Sequence, residues 1–462
     1  MYKQKRIFIS SFHPLISRNI LQTNILDFLL KKNYLVYIFC RDYKFDYFQK
    51  EFKKTGVKII GIKEECFNRR EKLFSQIGTY LLRTSSIILS RKERYHNDKR
   101  WLSYFLSLVI YQTIARSRFI HYLYRRLFFK YYNQNIFGRF FDEYQPDLIF
   151  ATDIFHPDDI RLQTESIKHK IKTIGMVRSW DNMTNKTIMQ IIPDKLIVHN
   201  ETIRDEVVYF NQLSRENIYI SGMPQFDYYI GYQPTPKEEF FEKSGFVLDK
   251  KIIMFAPVGK KFIDGDWTFL QILIDAINDE IIEGRPQILV RYPPGDIMDM
   301  EKVKIPGKIK VCIDKPGVSF QSNKLKDREM NKKDMVRLAD SLYYSDILIS
   351  AGSTLCIDIA AFDKPIILPY FDGEKNLEYF RSVVKLYDKF HFNYLVKSEA
   401  GRLVKNKDEL IYWLNQYLAN PAIDQEKRKT LLEEQCWQHD GLACKRILDY
   451  LNEFIKYTDS LS

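Results

Sequence analysis

The stretch DILISAGSTLCIDIAAFDKPIILPY, Asp346–Tyr370, has the residue types and spacing to hold a phosphate. An apolar run ends at Ser350–Ala351, Gly352 permits a tight turn, and Ser353–Thr354 open a helical pattern. Unsatisfied N–H groups at a helix start, beside two hydroxyls, attract phosphate or pyrophosphate oxygens. Asp358 follows Thr354 by one helical turn on the same face, placed to meet a ribose or sugar hydroxyl. A second phosphate candidate is Arg291 in QILVRYPPGD, at the carboxyl end of an apolar run. A guanidinium there pairs with phosphate oxygens in a bidentate way. The third is APVGKK, where Gly259 lets Lys260 and Lys261 approach an anion closely.

Proton transfer has its own candidates. TDIFHPDD, Thr152–Asp159, offers Asp153 and His156; VRSWDNMTNK, Val177–Lys186, offers Asp181; His13 follows the first apolar run. Each lies just after a predicted strand, where a carboxylate or imidazole can take the proton of an acceptor hydroxyl. Other chemistries find no support. The chain has no Walker A lysine pattern, GxGxxG, HExxH or GxSxG. Its six cysteines are scattered without CxxC or Cys/His clustering, which argues against structural zinc and a disulfide framework and for a reducing compartment.

These residues need a scaffold, and short apolar runs alternating with helical patterns supply one. Strands are predicted at Arg6–Ser11, Tyr34–Cys40, Val57–Ile60, Asp147–Asp153, Lys172–Arg178, Lys195–His199 and Asn217–Ser221. A helix falls over Ser17–Lys31. A second series has strands at Lys251–Pro257, Gln287–Tyr292, Asp346–Ala351 and Pro365–Pro369. Its helices fall near Trp267–Glu283, Lys333–Tyr344 and Ser353–Phe362. Runs apolar on both faces suit buried parallel strands. The expected fold is α/β: two doubly wound Rossmann-like domains facing a cleft, with ligands at the carboxyl ends of strands. The first domain covers 1–222, a Pro/Gly-rich linker 223–250, and the second domain 251–425. A C-terminal helix over 426–462 can pack back on the first domain.

With 462 residues and 45% hydrophobic content, the chain can bury two cores. Its +12 net charge is local. Between Arg69 and Phe140 there are 15 Lys/Arg against 3 Asp/Glu, so the rest of the chain is balanced. This basic, aromatic helical insertion, about 66–140, includes WLSYFLSLVIYQTIA and RSRFIHYLYRRLFFKYY. Rings and cations so interleaved suit an anionic membrane surface. No nucleic-acid-binding motif is present, and no run reaches the length of a membrane-spanning helix. The absence of a signal-peptide pattern points to a cytoplasmic protein, peripheral on the inner face of the membrane.

SWDNMTNK, PDKLIVHNETIRDEVVYF, IYISGMPQFD, RYPP, SAGSTLCIDIAAFDKPI and HDGLACKRILDYL follow one another over roughly 145–455. Together they resemble bacterial proteins related to CDP-glycerol glycerophosphotransferases and other GT-B transferases of cell-surface polymers. The resemblance implies a GT-B-like fold, acceptor on the N-terminal domain and nucleotide-linked donor on the C-terminal one. It implies no metal and no cofactor, because helix N–H groups and basic side chains neutralise the leaving group. Trp180-Asp181 stands where the family has Trp-His, making Asp181 the favoured base, with His13, Asp153 and His156 in reserve. Arg291-Tyr292-Pro293-Pro294 replaces Arg-x-His-Pro, without its histidine. Ser353 and Thr354 match a Ser-rich phosphate loop, and Asp358 an often acidic position. Lys260, Arg291, Gly352, Ser353, Thr354 and Asp358 would hold the donor.

The expected function is a metal-independent glycosyltransferase. It would move a sugar from a nucleotide-sugar donor to a glycan or lipid-linked acceptor of capsule, lipopolysaccharide or teichoic type. The rivals are a glycerophosphotransferase on the same fold, a UDP-sugar 2-epimerase, and a non-catalytic scaffold of a glycan-assembly complex.

Overall fold

Runs of Val, Ile, Leu and Phe pair side by side as parallel strands, which bury both faces and both edges of the backbone ladder. The computed structural model describes residues 4–461 except 261, 264, 321–326 and 374–375. It divides into two compact units, Met1–Tyr228 with Cys436–Ser462, and Tyr229–Gln435. Lys261 lies outside the described residues.

The first unit is built on β1 (Arg6–Ser10), β2 (Leu35–Arg41), β3 (Val57–Ile62), β4 (Leu148–Ala151), β5 (Thr173–Met176), β6 (Lys195–Val198) and β7 (Ile218–Ile220). Their order is β3-β2-β1-β4-β5-β6-β7, all parallel. Strand order therefore reverses between β1 and β4, the place where an open α/β sheet opens a crevice at its carboxyl ends. The C-terminal Ala443–Leu461 helix lays Ile447, Leu451 and Ile455 on this sheet's core beside Ile7, Ile38 and Leu29. Tyr450 stacks on Tyr219 of β7, ring centroids 4.1 Å apart. Asp227 fixes that helix's start by accepting the Ala443 and Cys444 N–H groups at 3.0 and 2.7 Å. Arg446 donates to the Ser221 carbonyl at 2.8 Å. The motifs around Phe226-Asp227 and His439-Asp440-Gly441 thus tie the chain's end to its first sheet.

The second unit carries β8 (Ile252–Ala256), β9 (Gln287–Arg291), β10 (Val311–Asp314), a ribbon of β11 (Val318–Ser319) and β12 (Arg328–Glu329), then β13 (Ile347–Ser350), β14 (Ile366–Pro369) and β15 (Gly401–Val404). The main sheet runs β10-β9-β8-β13-β14-β15, again parallel, and its order reverses between β8 and β13. The segment 223–250, read from sequence as a linker, holds a short turn of helix at Pro224–Tyr229 and a helix at Lys237–Ser244. The latter buries Phe240 and Phe241.

Helices at Arg69–Leu81, Ser85–Asp98, Trp101–Gln112 and Arg118–Tyr131 form the basic insertion. Asn68 and Glu71 close a capping box on the first. Glu71 also takes both arms of buried Arg161, at 2.7 and 2.8 Å, which pins the insertion to the Pro157–Lys168 helix. Trp101, Leu102, Phe105, Leu106 and Val109 recur at helical spacing on one face, each more than half exposed. Phe119 and Tyr122 are exposed on the next helix. Among the described residues no helix is long and apolar enough to cross a membrane.

Candidate functional site

In the first unit the segments after β1, β4 and β5 bring His13, Asp153, His156 and Arg178 together at the strand reversal. Their backbone is fixed from below. Thr152 donates its hydroxyl to the Ser10 carbonyl at 2.6 Å and its N–H to the Ser10 hydroxyl at 3.0 Å. Ser10 donates in turn to Asp159. Burial, with Asp153 and Asp158 nearby, pushes the Asp159 carboxyl well above the usual range.

His13 and His156 begin helices with proline at the next position, a favoured first helical residue. Each ring accepts a backbone N–H at Nδ1, from Leu15 at 3.2 Å and from Asp158 at 3.3 Å. His156 also stacks on Phe12, centroids 5.8 Å apart. Burial holds both rings well below the ordinary histidine pKa. Arg178 adds most to this for His13 and Arg41 for His156. A neutral imidazole that accepts at Nδ1 carries its proton on Nε2. The two rings therefore present donors in a cationic setting, a combination suited to anionic oxygens.

Asp153 is a correction to the sequence reading. It is fully buried, pairs with Arg178 and accepts the Phe155 N–H at 3.0 Å. A carboxylate so occupied positions Arg178 and the loop; it is not placed to take a proton from an acceptor. Asp181 follows β5, half-buried, at the start of the short Asn182–Asn185 helix, and its carboxylate accepts from the Asn182 amide at 3.2 Å. It makes no side-chain cap to that helix. Trp180 is buried, so its ring does not lie open to stack on a sugar.

In the second unit the loops after β8 and β13 flank the other strand reversal. Gly352 has φ +71°, and a Cβ there would meet the Phe392 ring at 3.1 Å, so the turn requires glycine. The Ser353 hydroxyl accepts the Leu355 N–H at 3.3 Å. Thr354 is exposed beside it. Within this turn the Cys356 N–H donates to the Ser353 carbonyl at 3.0 Å, which is where the helical ladder begins. Gly259 has φ +104° and donates its N–H to Asp266 at 2.7 Å. Lys260, half-exposed, pairs with Asp299 at 2.6 Å.

Two donor candidates turn out to be structural. Arg291 is buried and pairs with Asp314, its direct neighbour in the β9–β10 register. This pair ties its guanidinium to the sheet, and Arg337 reaches the same carboxylate from the surface at 2.9 Å. Asp358 is buried and accepts the Tyr229 hydroxyl at 2.7 Å, which holds the segment after residue 228 against its helix. Neither is placed to meet a donor directly.

Asp266 gives this loop a pH response. Burial pushes its carboxyl up to about 7, against about 3.9 for a free aspartate. Between those values the folded chain holds a proton that the unfolded chain has lost, so stability falls as pH rises. The slope reaches about 1.4 kcal/mol per pH unit. Asp266→Asn is expected to flatten the Tm profile between about pH 5 and 7; an unchanged slope in urea melts of the variant would remove Asp266 as the source.

Sequence reasoning passed over Arg178, Lys186 and Arg41. Arg178 and Lys186 lie in the same VRSWDNMTNK run as Asp181, so a count of cations at strand ends would have found them. Among the described residues no three His, Cys, Asp or Glu side chains converge as a metal site.

Two parallel sheets, each with its order reversed at the centre and its polar loops at the carboxyl ends, define a GT-B-like protein. Solved structures agree on this fold. A UDP-GlcNAc 2-epimerase from Neisseria meningitidis aligns with TM-score 0.55 at 10% identity, over 97% of this chain and 100% of that one. The wall teichoic acid polymerase TagF aligns with TM-score 0.51 at 14% identity, over 98% and 90%. Within the GT-B-like class, the chain resembles the CDP-glycerol glycerophosphotransferase family. Residues 316–453 match the model described as CDP-Glycerol:Poly(glycerophosphate) glycerophosphotransferase. The teichoic acid poly(ribitol-phosphate) polymerase of Bacillus spizizenii is 24% identical over 271 residues, 56% of this chain. That alignment covers 37% of the relative, so the chain spans little more than a third of its length.

Proposed function

We propose that the chain is a polyol-phosphate transferase that extends a teichoic-type acceptor from a CDP-linked donor. The supporting observation is the family match at 316–453, which contains the Gly352–Thr354 turn beside the strand reversal of the second sheet. This replaces sugar transfer as the leading reading, because the relatives are named for glycerol- or ribitol-phosphate polymers. In this reaction an acceptor hydroxyl attacks the donor's β-phosphorus, the P–O bond to CMP breaks, and the hydroxyl proton passes to a base. Asp181 is the base in this reading. His13 and His156 donate to anionic oxygens of the acceptor, and Gly352, Ser353, Thr354 and Lys260 bind the donor diphosphate. No cofactor takes part.

The released nucleotide tests the reading. Phosphoryl transfer from CDP-glycerol or CDP-ribitol liberates CMP, whereas sugar transfer breaks the anomeric C–O bond and liberates a nucleoside diphosphate. CMP release that depends on acceptor is the expected outcome. UDP release from a UDP-sugar would reinstate sugar transfer, and no turnover of any donor would leave a scaffold.

The partner surface in this reading is the inner face of an anionic membrane, where a lipid-linked acceptor is presented. The exposed Trp101–Val109 face and the cations around it support this. Each engaged Lys or Arg contributes on the order of 1 kcal/mol at such a surface. Sedimentation with phosphatidylglycerol vesicles is expected at low salt and should weaken as salt rises, screening over about 8–10 Å. Equal partitioning onto neutral vesicles would refute the electrostatic part.

A further inference from the structure

The insertion does more in the first unit than add basic surface. Between its first two helices and the 185–190 segment lies a cavity of about 280 Å³. Three cations line it: Arg91, Arg94 and Lys186. No carboxylate lines it among the described residues, and none pairs with these three. Arg91 is only 8% exposed, its guanidinium 3.7 Å from the Tyr80 ring centroid. Burying a cation without a carboxylate is costly, and an anion in the cavity offsets that cost.

The rest of the lining is hydroxyl- and amide-rich, with Thr79, Ser90, Thr187 and Gln190. Its wall is rigid. The Thr84 hydroxyl donates to the Thr184 carbonyl at 2.6 Å, and the Ile188 N–H to the Gly78 carbonyl at 3.3 Å. Gly78 allows this approach, because a Cβ there would meet the Thr187 hydroxyl at 2.2 Å. Phe155 and Pro157, which flank His156, form another side. Lys186 lines the cavity and also acts on His13 electrostatically. The cavity therefore borders the segment that carries His156, and Lys186 couples it electrostatically to His13.

We propose that this cavity is a subsite for a phosphorylated polyol. The phosphate would meet Arg91, Arg94 and Lys186, and the polyol hydroxyls the Ser, Thr and Gln side chains. Its volume suits one small charged unit. The assignment of the ligand as part of the acceptor rests on the transfer reaction proposed above; the anion site stands on the cavity and on three cations with no carboxylate partner among the described residues.

Calorimetric titration of the whole chain with glycerol 3-phosphate, inorganic phosphate and glycerol tests this. Binding is expected in the order glycerol 3-phosphate, then phosphate, with none for glycerol. Arg94→Ala and Lys186→Ala, at exposed positions, should each weaken glycerol 3-phosphate by about tenfold or more, the scale of a charge-assisted hydrogen bond. Ser90→Trp, which fills the cavity, should abolish binding, with CDP affinity kept in all three. The proposal is overturned if wild type does not bind glycerol 3-phosphate, if phosphate binds equally well, or if the two surface variants bind as wild type. It is also overturned if these variants lose only vesicle binding, which would assign the cations to lipid headgroups. CMP release measured in parallel keeps the two readings apart. Its persistence without glycerol 3-phosphate binding sinks the subsite alone, and its absence with binding intact sinks the transfer reaction alone.

Discussion

Asp181→Asn is expected to slow transfer by about 10²–10⁴-fold, the usual worth of a general base, and to leave nucleotide affinity unchanged. The change keeps size and shape but replaces the carboxylate by a neutral amide, which cannot take up a proton. Local structure makes the test clean. Asparagine often replaces aspartate at helix starts, and Asp181 makes no side-chain cap to the Asn182–Asn185 helix. A lost cap therefore cannot account for lost activity. Donor candidates belong to the other unit, so CDP affinity separates loss of the base from loss of donor binding. Near-normal CMP release from a folded Asp181→Asn chain would retire Asp181.

The strands that position these residues were visible in the sequence because parallel strands buried on both faces are written as unbroken apolar runs. β1, β4, β8 and β13 are of this kind, and all four flank a strand reversal. The edge strands of the second sheet were not visible. β10 reads VCID with Ile313 exposed, and β15 reads GRLV, opening on glycine and arginine; neither forms the apolar block that marks a central strand. The helix read over Ser17–Lys31 is split, because a π-turn at Ser17–Leu21 ends at Gln22 before helix resumes at Ile25.

Site residues were legible by position and misread by partner. Arg291 lies at a strand end as expected, but Asp314, 23 residues on, is brought opposite it by register. Tyr229, 129 residues before Asp358, captures that carboxylate in the same way. Long-range pairing of this sort leaves no local pattern. The cation-lined cavity was hidden for a related reason: its arginines come from the insertion and its lysine from the loop after β5, and only folding brings them together.

The largest effect expected among the histidines is at His13, where alanine should cost about 10²–10³-fold in kcat, the scale of losing one preorganised donor to a developing charge. A base and a donor at this position make opposite predictions for glutamine. His13 accepts the Leu15 N–H at Nδ1 and is held well below the usual pKa, first by burial and then by Arg178. It is therefore neutral across pH 6–8 with its proton on Nε2, where no lone pair remains to receive another. A glutamine amide can supply an N–H there but cannot serve as a base. His13→Gln should recover a substantial part of what His13→Ala loses, and the wild-type rate should show no imidazole titration between pH 6 and 8. His156 has the same arrangement, with its Nδ1 taken by the Asp158 N–H. If both rings bind one anion, the double alanine variant should lose less than the product of the single losses, because groups acting as a unit are not additive. Glutamine as inactive as alanine, together with a rate that falls on acidification through about pH 6.5, would instead make His13 the proton acceptor.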